Sequence, residues 1–229
     1  MQKVLVIAAH PDDEVLGCGG TMARLASEGK EVYSLILGEG ITSRDEKRDR
    51  AKREPEIQKL LAACKSANKL LNVKEVINFD LPDNRFDSVD LLDIIKLIER
   101  VKKEVVPDIV FTHFEGDLNN DHQITVKAVM AAFRPVPGQR VSYIYSFPIP
   151  SATGWNVASQ QNNFLPNYFV NIEQTIDLKV KSLLEYESEV LEFPHPRSPE
   201  AIRAIASGWG INVGMKYAEA FSLIRGLTY

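Results

Sequence analysis

Val4-Leu5-Val6-Ile7-Ala8-Ala9-His10-Pro11-Asp12-Asp13-Glu14 is the stretch that decides the fold. The run from Lys3 to Ala9 shows no alternation of polar and apolar residues, so it reads as a strand buried on both faces, the mark of a parallel sheet covered by helices. Ligands of open α/β sheets collect just beyond the C-terminal ends of such strands. A histidine and two carboxylates stand at that place. His10 and Asp13 fall on one turn leading into the next helix, close enough to hold a single divalent cation, and Asp12 is left free beside it. The same residues admit a plain reading in which His10 caps the strand and the acidic side chains favour a helix N-terminus. A third ligand with an open fourth position would make the site catalytic rather than structural.

Working outward, a helix is predicted from about Glu14 to Glu28, closed by Gly29 as a C-terminal signal. Gly17, Gly19 and Gly20 permit close backbone approach, and Gly-Cys-Gly-Gly lacks the spacing of a dinucleotide fingerprint. Strand Glu31 to Leu37, helix Ser43 to Ala67, strand Glu75 to Phe79, helix Asp90 to Glu104 and strand Ile109 to Phe111 follow, and Pro107 separates the last two. This alternation predicts a right-handed βαβ series and a Rossmann-like three-layer α/β sandwich with a mostly parallel sheet. A helix begins at His122. After Arg140 the pattern changes: Val141 to Phe147 and Tyr168 to Ile172 read as strands, and Asp177 to Leu191 and Ser198 to Trp209 as helices, giving a C-terminal β-hairpin and helical extension. Ser151 to Pro166 is a long polar loop, the kind that often serves as a lid or binding loop.

Composition bounds the function. A chain of 229 residues with 45% hydrophobic and 25% charged residues is expected to be one globular domain, residues 1–229. The net charge of −4 gives no general attraction for nucleic acid or an anionic membrane. No secretory signal or membrane-spanning stretch is visible. Cys18 and Cys64 make no disulfide framework, so a reducing cytoplasm is the expected compartment.

His10-Pro11-Asp12-Asp13-Glu14, with Leu16-Gly17-Cys18-Gly19-Gly20-Thr21 after it, resembles the opening motif of the LmbE-like, or PIG-L, family of zinc-dependent N-acetylglucosaminyl deacetylases. Further matches follow in order. They are Arg53 and Glu56, Leu81-Pro82-Asp83, Thr112-His113, Asp117 through His122, His195-Pro196-Arg197-Ser198, and Tyr217-Ala218-Glu219-Ala220-Phe221.

The resemblance implies a single zinc ion held by His10, Asp13 and His122, with His113 as the alternative ligand or a substrate contact. Two histidines in one strand-end loop cannot be ranked by spacing. Asp121 or Asp117 would orient a ligand imidazole through its second ring nitrogen. A three-ligand cation supplies a nucleophilic water near neutral pH and Asp12 can accept its proton, which amounts to amide hydrolysis. The family commonly has a histidine where this chain has Asn119. An amide can stabilise an oxyanion but cannot act as an acid. His195 then becomes the candidate for protonating the leaving amine, with a structural role in a Pro-rich turn as its alternative. Arg53 is the candidate for binding sugar hydroxyls or an anionic aglycone, against a simple salt bridge to Glu56. The expected substrate is a small N-acetylated amino sugar, free or conjugated, and related enzymes often form homo-oligomers. The alternatives are a zinc amidase with a non-sugar acyl substrate and a binding module whose metal is structural. A structural site would fill four protein ligand positions, whereas this chain offers three and an unused Asp12.

Overall fold

The computed structural model describes residues 1–228. β1 (Lys3–Ala8) lies third in one seven-stranded sheet of order β3-β2-β1-β4-β5-β7-β6. β1 pairs in parallel with both β2 (Glu31–Gly38) and β4 (Ile109–His113). β3 (Glu75–Leu81) extends the parallel sheet beyond β2, and β5 (Tyr143–Phe147) extends it beyond β4. The chain therefore leaves β1 to one side and later resumes on the other, which opens a crevice beyond the C-terminal ends of β1 and β4.

Period-two geometry sends alternate β1 side chains to opposite layers. Val4, Val6 and Ala8 join the core under α1 (Asp13–Ser27), α2 (Arg50–Leu70), α5 (Ile176–Glu185) and α6 (Pro199–Ile211). Leu5, Ile7 and Ala9 join the core under α3 (Leu91–Val105) and α4 (Asn120–Ala132). Both sets are fully shielded from solvent, as the unbroken apolar run requires. Gly17 explains how closely α1 can sit on the sheet. A Cβ there would lie 2.2 Å from the Phe147 ring.

Two boundaries and one whole element depart furthest from the sequence reading. α2 begins at Arg50 rather than Ser43, because Thr42–Arg44 forms a separate 3-10 turn and the Asp49 side chain caps the helix by accepting from the Lys52 amide at 3.0 Å. α5 stops at Glu185, short of Leu191, so residues 186 to 198 are free to cross the crevice. The third difference is β7 (Ala218–Gly226), a strand absent from the sequence reading, which runs antiparallel between β5 and β6 (Tyr168–Asn171). Glu219 fixes it to α1. Its carboxylate accepts from the Gly20 and Thr21 amides at 2.9 and 2.6 Å and from Lys179 Nζ at 2.5 Å, while Lys179 also donates to the Leu16 carbonyl. Both members of this pair are buried, so each relies on the other to remain charged in the core.

Candidate metal centre

The turn that ends β1 builds the first half of the site. The His10 amide donates to Asp13 Oδ2 at 2.9 Å, and the Asp12 carbonyl accepts from the Val15 and Leu16 amides as α1 starts. Asp12 itself takes φ 99°, a backbone conformation that L-residues rarely adopt and that costs on the order of 1 kcal/mol or more. β4 and α4 build the second half. Asn119 Oδ1 caps α4 by accepting from the Asp121 amide at 2.8 Å, which sets His122 in the first helical turn.

His10, Asp13 and His122 are all buried, and each places one ligand atom within 4.8 Å of the others. Each imidazole has a carboxylate behind it. His10 turns Nε2 to Asp121 Oδ2 at 2.9 Å and Nδ1 to Asp13 at 3.3 Å. His122 turns Nδ1 to Asp117 at 3.2 Å and Nε2 to Asp13 at 3.2 Å. The outer carboxylates are themselves anchored: Asp121 Oδ1 accepts from the Phe86 amide at 2.9 Å, and Asp117 Oδ2 accepts from the Thr153 hydroxyl. With the outer nitrogens protonated toward these acceptors, Nδ1 of His10, Nε2 of His122 and a carboxylate oxygen of Asp13 face one another as a two-nitrogen, one-oxygen donor set. A second triad, His10, Asp83 and Asp121, shares the outer face of His10 and offers one nitrogen and two oxygens.

The electrostatics suit a cation. Burial lowers the affinity of the His122 ring for protons, but Asp13 and Asp117 outweigh it and push its pKa up to about 9. His10 is likewise held well above the ordinary imidazole value by Asp121 and Asp13 against the effect of burial. Asp13 is kept well below the carboxylate range, burial being overcome by His122 and His10. A pocket that draws protons onto two imidazoles so strongly will also draw a metal ion, which must displace those protons to bind. For Asp12, burial raises the pKa well above the usual carboxylate value against the pull of Arg197. A divalent cation on the adjacent Asp13 acts in the opposite sense.

The donors open onto a polar cleft of about 240 Å³, whose wall includes His10, Asp12, Asn119, His122, Asp83, Arg44, Ser151, Glu189 and Arg197. Three of the residues singled out from the sequence lie elsewhere. His113 is fully buried, accepts from the Ala9 amide through Nε2 at 2.8 Å and stacks on His122 with ring centroids 3.9 Å apart. Burial and the neighbouring His122 keep its pKa well below the ordinary value. Arg53 makes a bidentate pair with Asp45 at 2.7 and 2.9 Å and reaches Glu56 at 3.1 Å, outside the cleft. His195 turns its ring edge-on to Trp155, and its Nδ1 accepts from the Arg197 amide at 3.1 Å. The loop from Ser151 divides its work: Ser151 and Ala152 line the polar cleft, whereas Trp155 and Phe164 line a separate apolar hollow of about 610 Å³ with Phe193 and Trp209. Arg197, Arg44, Glu189 and Asp83 also line the cleft but were not singled out from the sequence as site residues: Arg44 and Glu189 look like surface charges, and Asp83 and Arg197 stand in family-like motifs that carry no role by spacing alone.

The GlcNAc-PI de-N-acetylase (PIG-L) family model matches residues 5–133, more than half of the chain. The chain belongs to the PIG-L family. An uncharacterized deacetylase of Escherichia coli K12, YaiS, is 28% identical over 191 residues, covering 81% of this chain and 90% of that one. The diacetylchitobiose deacetylase of Thermococcus kodakarensis is 26% identical over 234 residues, covering 99% and 85%. Among solved structures, the conserved protein TT1542 of Thermus thermophilus superposes with a TM-score of 0.77 at 26% identity, covering 100% of this chain and 97% of that one. The PIG-L match runs from within β1 through α4, and hence takes in every member of the donor set.

Proposed function

We propose that this PIG-L chain is a zinc-dependent N-deacetylase that removes acetate from a small N-acetylated amino sugar or its conjugate, residues 1–229 forming one catalytic unit. The observation that carries the reading is the inner triad of His10, Asp13 and His122, with Asp12 beside it in the same polar cleft. Two nitrogens and one oxygen, each imidazole backed by a carboxylate, suit zinc. A bound zinc ion acidifies water and polarises an amide carbonyl. Asp12 takes the proton of the attacking water and returns it to the leaving amine, the role that His195, turned to Trp155, is not placed to play. Asn119 uses one amide N–H on Asn84 Oδ1 at 2.8 Å, leaving the second for the oxygen on which negative charge develops. His113 and Arg53 serve as supports rather than substrate contacts, and Arg44 and Arg197 supply the guanidinium groups of the cleft.

The deacetylases named above, one of them acting on diacetylchitobiose, support an N-acetylated sugar as the substrate class. Among the described residues no helix is long and apolar enough to cross a membrane, and Cys18 and Cys64 are free and buried, which supports a cytoplasmic setting. The test is acetate release from a panel of N-acetylhexosamines, chitooligosaccharides and N-acyl amino acids. Release confined to the sugars is expected, and release confined to the amino acids would make the chain an amidase of another class.

A further inference from the structure

Of the His195–Ser198 segment, the side chain that enters the polar cleft is that of Arg197. Its backbone is fixed by a tight turn: the Arg197 amide donates to His195 Nδ1 at 3.1 Å, and the Ser198 amide donates to the His195 carbonyl at 3.0 Å. Ser198 then caps α6 by accepting from the Ala201 amide at 3.1 Å. From this rigid base the guanidinium reaches three groups. Nη1 lies 3.2 Å from Asp12 Oδ2 and 3.2 Å from Glu189 Oε2, and Nε donates to Ser151 Oγ at 3.2 Å. Glu189 is held from its other side by Arg44 Nη2 at 2.6 Å. The result is a row of alternating charge, Arg44, Glu189, Arg197, Asp12, that ends on the carboxylate beside the donor set.

Asp12 needs such a partner. Its Oδ2 is buried and accepts no hydrogen bond among the described residues, so the ion pair with Arg197 is the polar contact that orients it. Its backbone sits at φ 99°, so the surroundings must hold the side chain in place. A planar guanidinium can bridge two carboxylates and a hydroxyl at once, which an ammonium of similar reach does less well.

We propose that Arg197 is a positioning residue of the deacetylation reaction. It keeps the Asp12 carboxylate turned into the cleft, so that the oxygen receiving the proton of the attacking water is the one that hands it to the leaving amine. Glu189, braced by Arg44, keeps Arg197 in place. The inference rests on the deacetylase reading given above and adds to it a residue far away in sequence from the metal motifs.

The experiment uses the zinc-loaded full chain and its best N-acetylated sugar substrate, with wild type and Asp12→Asn as references. Arg197→Ala should keep one zinc per chain and a KM within about threefold of wild type while kcat falls by about a hundredfold, the scale of a small misplacement of a reacting group. Guanidinium ion added well below denaturing concentration should restore kcat at least about tenfold in Arg197→Ala and leave Asp12→Asn unchanged, since the free cation can refill only the missing site. Glu189→Gln, which loosens Arg197 without touching Asp12, should lower kcat in the same direction and carries the test if Arg197→Ala does not fold. Wild-type kcat in either folded variant, zinc loss in step with activity, or a defect that guanidinium does not move would overturn the inference. If wild type releases acetate and Asp12→Asn does not, such an outcome removes Arg197 alone. No release by wild type from any amide removes the deacetylase reading together with it.

Discussion

Zinc binding should expel protons from this pocket, and the amount can be worked out from its geometry. Asp13 and Asp117 flank the His122 ring at 3.2 Å and bring its pKa to about 9 despite burial. At pH 7 the protonated ring therefore outnumbers the neutral one by about a hundred to one in metal-free protein. Because the metal binds only the neutral ring, His122 alone should release close to one proton, and His10, also held well above its ordinary value, adds to it. Apparent affinity should accordingly rise by at least about tenfold, and toward about a hundredfold, from pH 7 to pH 8. The same shift acts on the metal-free fold. A raised histidine pKa stabilises fully below about 6.5, and that contribution is lost as pH climbs through about 9, on the order of 3 kcal/mol for His122. Calorimetric zinc titrations in two buffers of different ionisation enthalpy give the proton count, and chelator competition at each pH gives the affinity. Release of less than about half a proton at pH 7, with an affinity flat to pH 8, would refute the reasoning, because the imidazoles would then already be neutral.

Metal holding and proton transfer should separate by residue. Asp13→Ala and His122→Ala should lose zinc by metal analysis, whereas Asp12→Asn should retain it and lose at least about a hundredfold in turnover; equal zinc loss in Asp12→Asn would make Asp12 a ligand. His195→Ala should keep zinc content and stay within about tenfold of wild-type turnover, below the usual effect of removing a general acid, since the ring packs on Trp155. A drop of about a hundredfold or more would return the acid role to His195. In the core, Glu219→Ala strands the buried Lys179 and should cost about 3–5 kcal/mol in denaturant unfolding, as breaking a buried pair does. A loss below about 1 kcal/mol would mean that Lys179 finds another partner or water.

The central half of the sheet could be read from the chain because β1, β2 and β4 are buried on both faces and so carry largely apolar runs between turn residues. β7 lacked that signal. Its burial pattern changes along its length, and Glu219, a charge near its start, reads as solvent-facing until Lys179 and the α1 amides are seen around it. The onset of α2 was misplaced because Thr42 to Asp49 is as polar as a helix surface, and only the Asp49 cap marks the true start. In the site, His10, Asp12 and Asp13 share one turn, so local spacing was enough to nominate them, whereas His122 was ranked above His113 only by the family resemblance. Arg53 and Arg197 show the limit of that method. Both stand in family-like motifs, but whether a guanidinium meets Asp45 on the surface or Asp12 in the cleft depends on the path of distant segments. His195 and Arg197 are two residues apart, and the turn between them decides which one lines the polar cleft.

The most direct test of the central claim is a titration of zinc into metal-stripped protein while acetate release from an N-acetylated amino sugar is followed. The expected result is negligible release without metal and activity that rises linearly to a break at one zinc per chain, with Asp12→Asn inactive at every point. Full activity in the metal-stripped protein, or a chain that binds one zinc at the His10, Asp13 and His122 triad and releases no acetate from any amino sugar, would contradict it.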